Sequence, residues 1–187
     1  MNHISIKRRL CSSLLRNLGW KCIGAVVPEP KCIILGAPHT SVWDFIISLL
    51  YYTSVGGKAS VIVKKEFFFW PVGGWLRRVG AIPVDRSKGA SIVKQIVSAF
   101  NRHETLHIAI APEGTRKPTV HWKGGFHTMA KASNVPVYFA VFDWGKKEVG
   151  IVEKFPLSND QQADIHRVRQ WYKERGVRGK YPKNFIT

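Results

Sequence analysis

At 187 residues the chain fits one domain, and at 45% hydrophobic it has ample material for a core, which excludes a disordered protein. Its 29 Lys and Arg against 12 Asp and Glu give a formal charge of +17, spread as +10 over residues 1–100 and +7 over residues 101–187. There is thus no separate basic tail, and an anionic partner is expected. Cys11, Cys22 and Cys32 are too few and too scattered for a zinc site or a disulfide framework, and read as free thiols in a reducing compartment.

Ile6, Leu10, Leu14 and Leu18 recur every fourth residue with Lys7, Arg8, Arg9 and Arg16 off that stripe, the pattern of a basic amphipathic helix. Such a helix either packs on the core or lies on anionic lipid. Arg16 and Asn17 interrupt the apolar stretch that a signal peptide would need. No run approaches the roughly 18–20 apolar residues of a spanning helix, so a soluble or peripheral protein is expected. Residues 1–28 are read as a membrane-associating helix and linker, and residues 29–187 as the functional domain.

From there short apolar runs alternate with helical patterns. Cys32–Ala37 reads as a strand and Ser41–Tyr52 as a helix. Ala59–Val63 is a strand, followed by the aromatic segment Phe67–Leu76. Ala81–Val84 is a strand and Ala90–Arg102 a helix capped by Ser87. Leu106–Ala111 is a strand and Gly124–Ser133 a helix stopped by Asn134. Val135–Phe142 and Glu148–Val152 are strands, and Gln161–Arg175 is a helix with Ile165, Val168, Trp171 and Tyr172 on one side. This alternation predicts an α/β fold with a largely parallel central sheet flanked by helices.

Two strands end alike, in Ala37-Pro38-His39 and Ala111-Pro112-Glu113. Each proline keeps its predecessor extended and delivers the next residue at the strand's carboxyl end, the edge where open α/β sheets bind ligands. Thr40 and Ser41 are natural helix N-caps, which puts His39 outside a helix and Asp44 in its first turn, where the two can meet. A carboxylate on one imidazole nitrogen leaves the other free as a base, an arrangement worth roughly 10²–10⁴ in rate. Taken alone, Asp44 is also an ordinary helix-start carboxylate. In Glu113-Gly114-Thr115-Arg116, the glycine admits close approach of a ligand and the arginine offers a planar fork for phosphate. Gly80 to Arg86 ends another strand in an arginine, and Arg86 with Arg116 would make a phosphate clamp. Lys123 either adds to that field or is simply solvated. The segment Phe67–Leu76, followed by Arg77 and Arg78, fits a membrane edge, although some of its rings belong in a core.

Four blocks occur in order: Pro38-His39-Thr40-Ser41-Val42-Trp43-Asp44, Gly80 to Arg86, Ala111 to Arg116, and Val135-Pro136-Val137. Together, over about residues 32–142, they resemble the glycerolipid acyltransferase family of the H-x4-D type, specifically the 1-acylglycerol-3-phosphate acyltransferases. The resemblance implies that His39 is the base and Asp44 its partner. It implies that Arg86, Glu113, Gly114, Thr115 and Arg116 bind the glycerol-phosphate of a lysophospholipid acceptor, and that Pro136 shapes the far wall. It also implies acyl-CoA or acyl-acyl-carrier protein as co-substrate, with no metal or other cofactor. Pro38, Pro83, Val84 and Ala111 depart from the usual residues; they leave the His–Asp pair intact and bear on the acceptor. Glycerol-3-phosphate, another lysolipid and a lyso-aminolipid are the alternatives. A peripheral, cytoplasmic enzyme on the inner face of the cell membrane is expected. The rival of another class, a basic nucleic-acid-binding module, leaves the His–Asp and Glu-Gly-Thr-Arg blocks without a task, and no nucleic acid is expected.

Overall fold

A computed structural model describes residues 5–85 and 89–187. In chain order the elements are α1 (Ile6–Asn17), β1 (Lys21–Ile23), β2 (Lys31–Ala37), α2 (Val42–Ser54), β3 (Ala59–Lys64), α3 (Val72–Arg78) and β4 (Ala81–Val84). They continue with α4 (Gly89–Arg102), β5 (Leu106–Ile110), α5 (Gly125–Ser133), β6 (Val137–Asp143), β7 (Glu148–Phe155) and α6 (Gln161–Arg175). The seven strands form one sheet in the order β1-β7-β6-β2-β5-β3-β4. Every neighbouring pair is parallel except β6 and β7. The expected α/β architecture with a largely parallel sheet is thus observed.

β2 lies at the centre, and its side chains alternate between two cores. Ile33 and Leu35 join the larger core with residues of α4, α5 and α6, including Phe100, Phe126 and Tyr172. Cys32 and Ile34 join the smaller one with Leu15 of α1 and Ile47, Tyr51 and Tyr52 of α2. Both faces of the strand are covered, which is why its sequence is an apolar run rather than an alternation. Each fully buried aliphatic side chain in these layers contributes about 1.5–3 kcal/mol. Helix ends follow their sequence signals: Asn134 stops α5 in the left-handed conformation, and the Asp160 carboxylate caps α6 through the Gln162 and Ala163 N–H groups.

The expected boundary at residue 28 is not marked by any break in packing. β1 pairs with β7 at one edge of the sheet, Leu15 and Trp20 are buried in the smaller core, and α1 packs along α2, so residues 5–28 belong to the domain. Three residues, Lys21 and Cys22 exposed and Ile23 half-buried, are too few to show the two-residue period that betrays a strand. Nor does the four-residue stripe of α1 face the core. Leu15 turns inward, whereas Ile6, Leu10, Leu14 and Leu18 are all exposed, Ile6 at 77%. Among the described residues no helix is long and apolar enough to cross a membrane.

Because α2 leaves β2 toward the smaller core and α5 leaves β5 toward the larger one, their connections part to opposite faces beside a shared carboxyl edge. That parting makes a crevice where ligands bind in sheets of this kind.

Candidate active site

His39 and Asp44 flank the start of α2. Ser41 is the N-cap, in extended conformation, and its hydroxyl accepts from the Trp43 N–H at 3.2 Å. Asp44 occupies the third helical position, and its Oδ2 accepts from the N–H groups of Thr40 and Ser41, both at 2.7 Å. This reciprocal capping box turns the wholly buried carboxylate back toward the incoming chain. Oδ2 thereby lies 3.7 Å from His39 Nδ1, an electrostatic contact longer than a hydrogen bond. Burial raises the Asp44 pKa, opposed by the donors on its two oxygens and by His39. Burial lowers that of His39; Asp44 opposes this and the Arg116 guanidinium adds to it. Burial thus favours the neutral imidazole, and Asp44 beside Nδ1 favours the tautomer that leaves Nε2 able to take a proton.

Glu113, expected to bind the acceptor, enters from beyond the end of β5 with its carboxylate turned inward. The residue is 4% exposed, with Oε1 accepting from the His39 N–H at 2.7 Å. Its Oε2 is buried with no hydrogen-bond partner among the described residues. Burial pushes the carboxyl up to about 7, against the His39 N–H, which favours its charged form. Folded inward, the carboxylate holds the backbone of His39.

The rest of the 113–116 turn faces outward. Gly114 has φ +66, and a Cβ there would stand 3.0 Å from Lys123 Cγ, so glycine serves both the turn and the passage of the lysine. The Lys123 N–H donates to the Pro112 carbonyl at 2.7 Å, which fixes Lys123 beside the turn. Arg116 is exposed and near enough to His39 to influence its proton affinity. The Thr115 hydroxyl is half-buried and accepts from the Lys117 N–H at 3.1 Å. Arg86, with Ser87, lies outside the described residues.

Pro136 is not part of this site. Its carbonyl accepts from the Ile33 N–H, which places it at the amino end of the sheet, about six residues and roughly 20 Å from His39 along β2. The Val-Pro-Val block starts a central strand and acts on the fold. Among the described residues there is no cluster of three or more His, Cys, Asp or Glu side chains able to hold a metal ion.

Two contributions were not evident in the sequence. Trp144, in the turn between β6 and β7, donates through Nε1 to Asp44 Oδ1 at 2.6 Å. The segment after α6 crosses the same edge. The Tyr181 N–H donates to Thr40 Oγ1 at 3.3 Å, and the Asn184 amide donates to the Arg116 carbonyl at 3.1 Å. Asp143 before Gly145 marks a turn, but no spacing relates residue 144 to residue 44, and the recognisable blocks end before either segment.

A family model described as Acyltransferase matches residues 21–142, well over half of the chain. A 1-acyl-sn-glycerol-3-phosphate acyltransferase of Streptococcus pneumoniae (strain ATCC BAA-255 / R6) is 26% identical over 141 residues, covering 73% of this chain and 52% of that protein. The chain therefore spans about half the length of this curated relative. The crystal structure of the 1-acyl-sn-glycerophosphate (LPA) acyltransferase, PlsC, from Thermotoga maritima superposes with a TM-score of 0.62 at 16% identity, over 93% of this chain and 80% of that one, a likeness of fold. With His39 and Asp44 meeting at the sheet's carboxyl edge inside the matched region, this chain belongs to the acyltransferase family.

Proposed function

We propose that the protein transfers a fatty acyl group from a thioester, acyl-CoA or acyl-acyl-carrier protein, to the free hydroxyl of 1-acylglycerol-3-phosphate, giving phosphatidate. The observation that carries this reading is a partly exposed His39, its pKa lowered by burial, set against a buried Asp44 with Arg116 alongside. His39 Nε2 takes the acceptor's hydroxyl proton as that oxygen attacks the thioester carbonyl, and Asp44 stabilises the imidazolium that results. The tetrahedral intermediate collapses with cleavage of the carbon–sulfur bond. The departing thiolate takes the proton back from His39, so the enzyme ends as it began. Arg116 and Lys123, with Arg86, Thr115 and Gly114, receive the acceptor's phosphate, and Glu113 holds the His39 backbone.

The acceptor is a lipid, and the reading includes an anionic membrane surface on the cytoplasmic side. Supporting it are the exposed Ile6, Leu10, Leu14 and Leu18 of α1, flanked by Lys7, Arg9 and Arg16. A second exposed group, Phe67, Phe69, Trp70 and Trp75, includes an indole at 91% exposure, with Arg77 over the Phe68 ring.

The test is transfer of a labelled acyl group to 1-acylglycerol-3-phosphate by purified protein in anionic vesicles, with His39→Ala alongside. Labelled phosphatidate that vanishes in the variant supports reaction, acceptor and base together. Near-normal turnover by His39→Ala would sink the mechanism. Label appearing only on glycerol-3-phosphate, another lysolipid or a lyso-aminolipid would replace the acceptor and keep the chemistry.

A further inference from the structure

We propose that Trp144 is a positioning residue for the reacting pair: its indole N–H fixes the plane of the Asp44 carboxylate, and the chain after α6 holds the indole in place. The inference rests on the acyl-transfer reading above. Neither Trp144 nor the later segment falls within the matched residues 21–142.

A wholly buried carboxylate needs hydrogen-bond donors on both oxygens. Thr40 and Ser41 satisfy Oδ2, the oxygen that faces His39. Two donors on one oxygen leave the other to be satisfied and the carboxylate free to rotate about the pinned atom. The Trp144 Nε1–H closes both gaps at 2.6 Å, a charge-assisted hydrogen bond. Asp44 then receives donors on both oxygens, which favour the ionised carboxylate against the burial that raises its pKa and suit it to stabilise a proton gained by His39.

The indole is itself held from several directions. Its ring meets Trp20 edge-on at 5.0 Å, and the ammonium groups of Lys147 and Lys180 lie over it at 5.1 and 4.8 Å. The Trp144 N–H donates to the Arg178 carbonyl at 2.8 Å, and Asp143 Oδ1 accepts from the Arg178 N–H at 3.2 Å, binding the turn to the late segment. That segment also presses on the His39 loop: a Cβ added to Gly179 would stand 2.6 Å from Thr40 Cγ2. Lys180 reaches the Trp43 ring as well, at 4.9 Å. Turn, late segment and the loop between β2 and α2 form a collar around Asp44, and Trp144 is its one aromatic donor to that carboxylate among the described residues.

Trp144→Phe keeps an aromatic ring but replaces the indole by the smaller phenyl group and removes the N–H. We expect kcat to fall about 10–100-fold, as for loss of one hydrogen bond to a charged group, while KM for donor and acceptor changes by less than about threefold. An unchanged kcat, or a loss carried by KM, would overturn the proposal. The second arm needs neither turnover nor that variant. In ¹H–¹⁵N spectra of protein labelled at its indoles, the Trp144 Nε1–H signal should lie downfield and move upfield in Asp44→Asn. A Trp144 signal indifferent to Asp44→Asn refutes the positioning role, whatever the kinetics. Absence of acyl transfer by the unmodified protein, with that signal responsive, refutes the proposed reaction instead and leaves the contact standing.

Discussion

Replacing Glu113 with glutamine should change how stability depends on pH, by an amount that follows from burial. The carboxyl is raised from 4.5 to about 7, which at about 1.36 kcal/mol per unit corresponds to roughly 3 kcal/mol. Below about pH 4.5 the side chain is protonated in folded and unfolded chains alike, and nothing is lost. Between about pH 4.5 and 7 the folded state keeps a proton that the unfolded state has released, so stability falls by about 1.4 kcal/mol per pH unit. Above about 7 the loss is complete. Glu113→Gln still offers an oxygen to the His39 N–H but has no proton to lose, so this decline should disappear. Urea unfolding of both proteins at about pH 4.5, 6 and 8 should show the stability difference moving by roughly 3 kcal/mol in favour of the variant, or about 6–12 °C in Tm for a domain of this size. Parallel pH curves for the two proteins would refute the reasoning. Glu113→Ala is the control: it strips the His39 N–H of its acceptor and should lie about 1–3 kcal/mol below Glu113→Gln at every pH.

Arg116→Ala should raise KM for the acceptor about 10–100-fold through loss of a charge-assisted phosphate contact, and a change confined to donor KM would refute that role. Because the Arg116 charge lowers the His39 pKa, the same variant should move the acid limb of kcat/KM to higher pH, a shift read directly from the rate profile. Leu10→Ser with Leu14→Ser should weaken sedimentation with anionic vesicles at least tenfold and leave Tm within about 1 °C, since both side chains are exposed; equal sedimentation would remove α1 from the membrane contact. Asp164→Asn should cost about 1–3 kcal/mol at neutral pH in urea unfolding. Burial raises the Asp164 pKa, but the bonds from Arg167 and Ser158 outweigh it and hold it low. Its contribution is therefore present above the unfolded carboxylate pKa and lost as pH falls through the lower folded value, so the gap to the variant should close in acid.

The elements legible in the sequence were those whose signal is local. β2 and β5 are apolar runs, α5 ends at an Asn that takes left-handed backbone, and α6 shows its apolar face in the spacing of Val168, Trp171 and Tyr172. His39, Asp44 and the 113–116 turn were legible because each proline-ended strand delivers its residue to the same edge. What escaped was non-local. β1 is defined by its partner β7 rather than by its own three residues. Trp144 meets Asp44 across a hundred residues, and Pro136 sits in a recognisable block yet at the opposite end of the sheet. The N-terminal stripe had the right period for a helix, but period alone does not say which face meets the core. Leu15, off the stripe, decides it.

The spacing between His39 and Asp44 has a reason in helix initiation. Ser41 is the N-cap, so Asp44 is the third helical residue and His39 lies two residues before the cap. A carboxylate at that third position reaches back to the backbone at the cap whether or not any chemistry follows, and here it accepts from both Thr40 and Ser41. The ordinary reading of Asp44 as a helix-start residue and its reading as the partner of a base are therefore one arrangement. The bonds that begin α2 also aim Oδ2 toward the imidazole. Inserting one residue between His39 and Ser41 would leave the helix start intact and carry the imidazole away from the carboxylate. Inserting one between Ser41 and Asp44 would break the cap as well. Activity should be lost in both cases and helix stability only in the second, because the five-residue spacing joins two requirements that meet at a single oxygen atom.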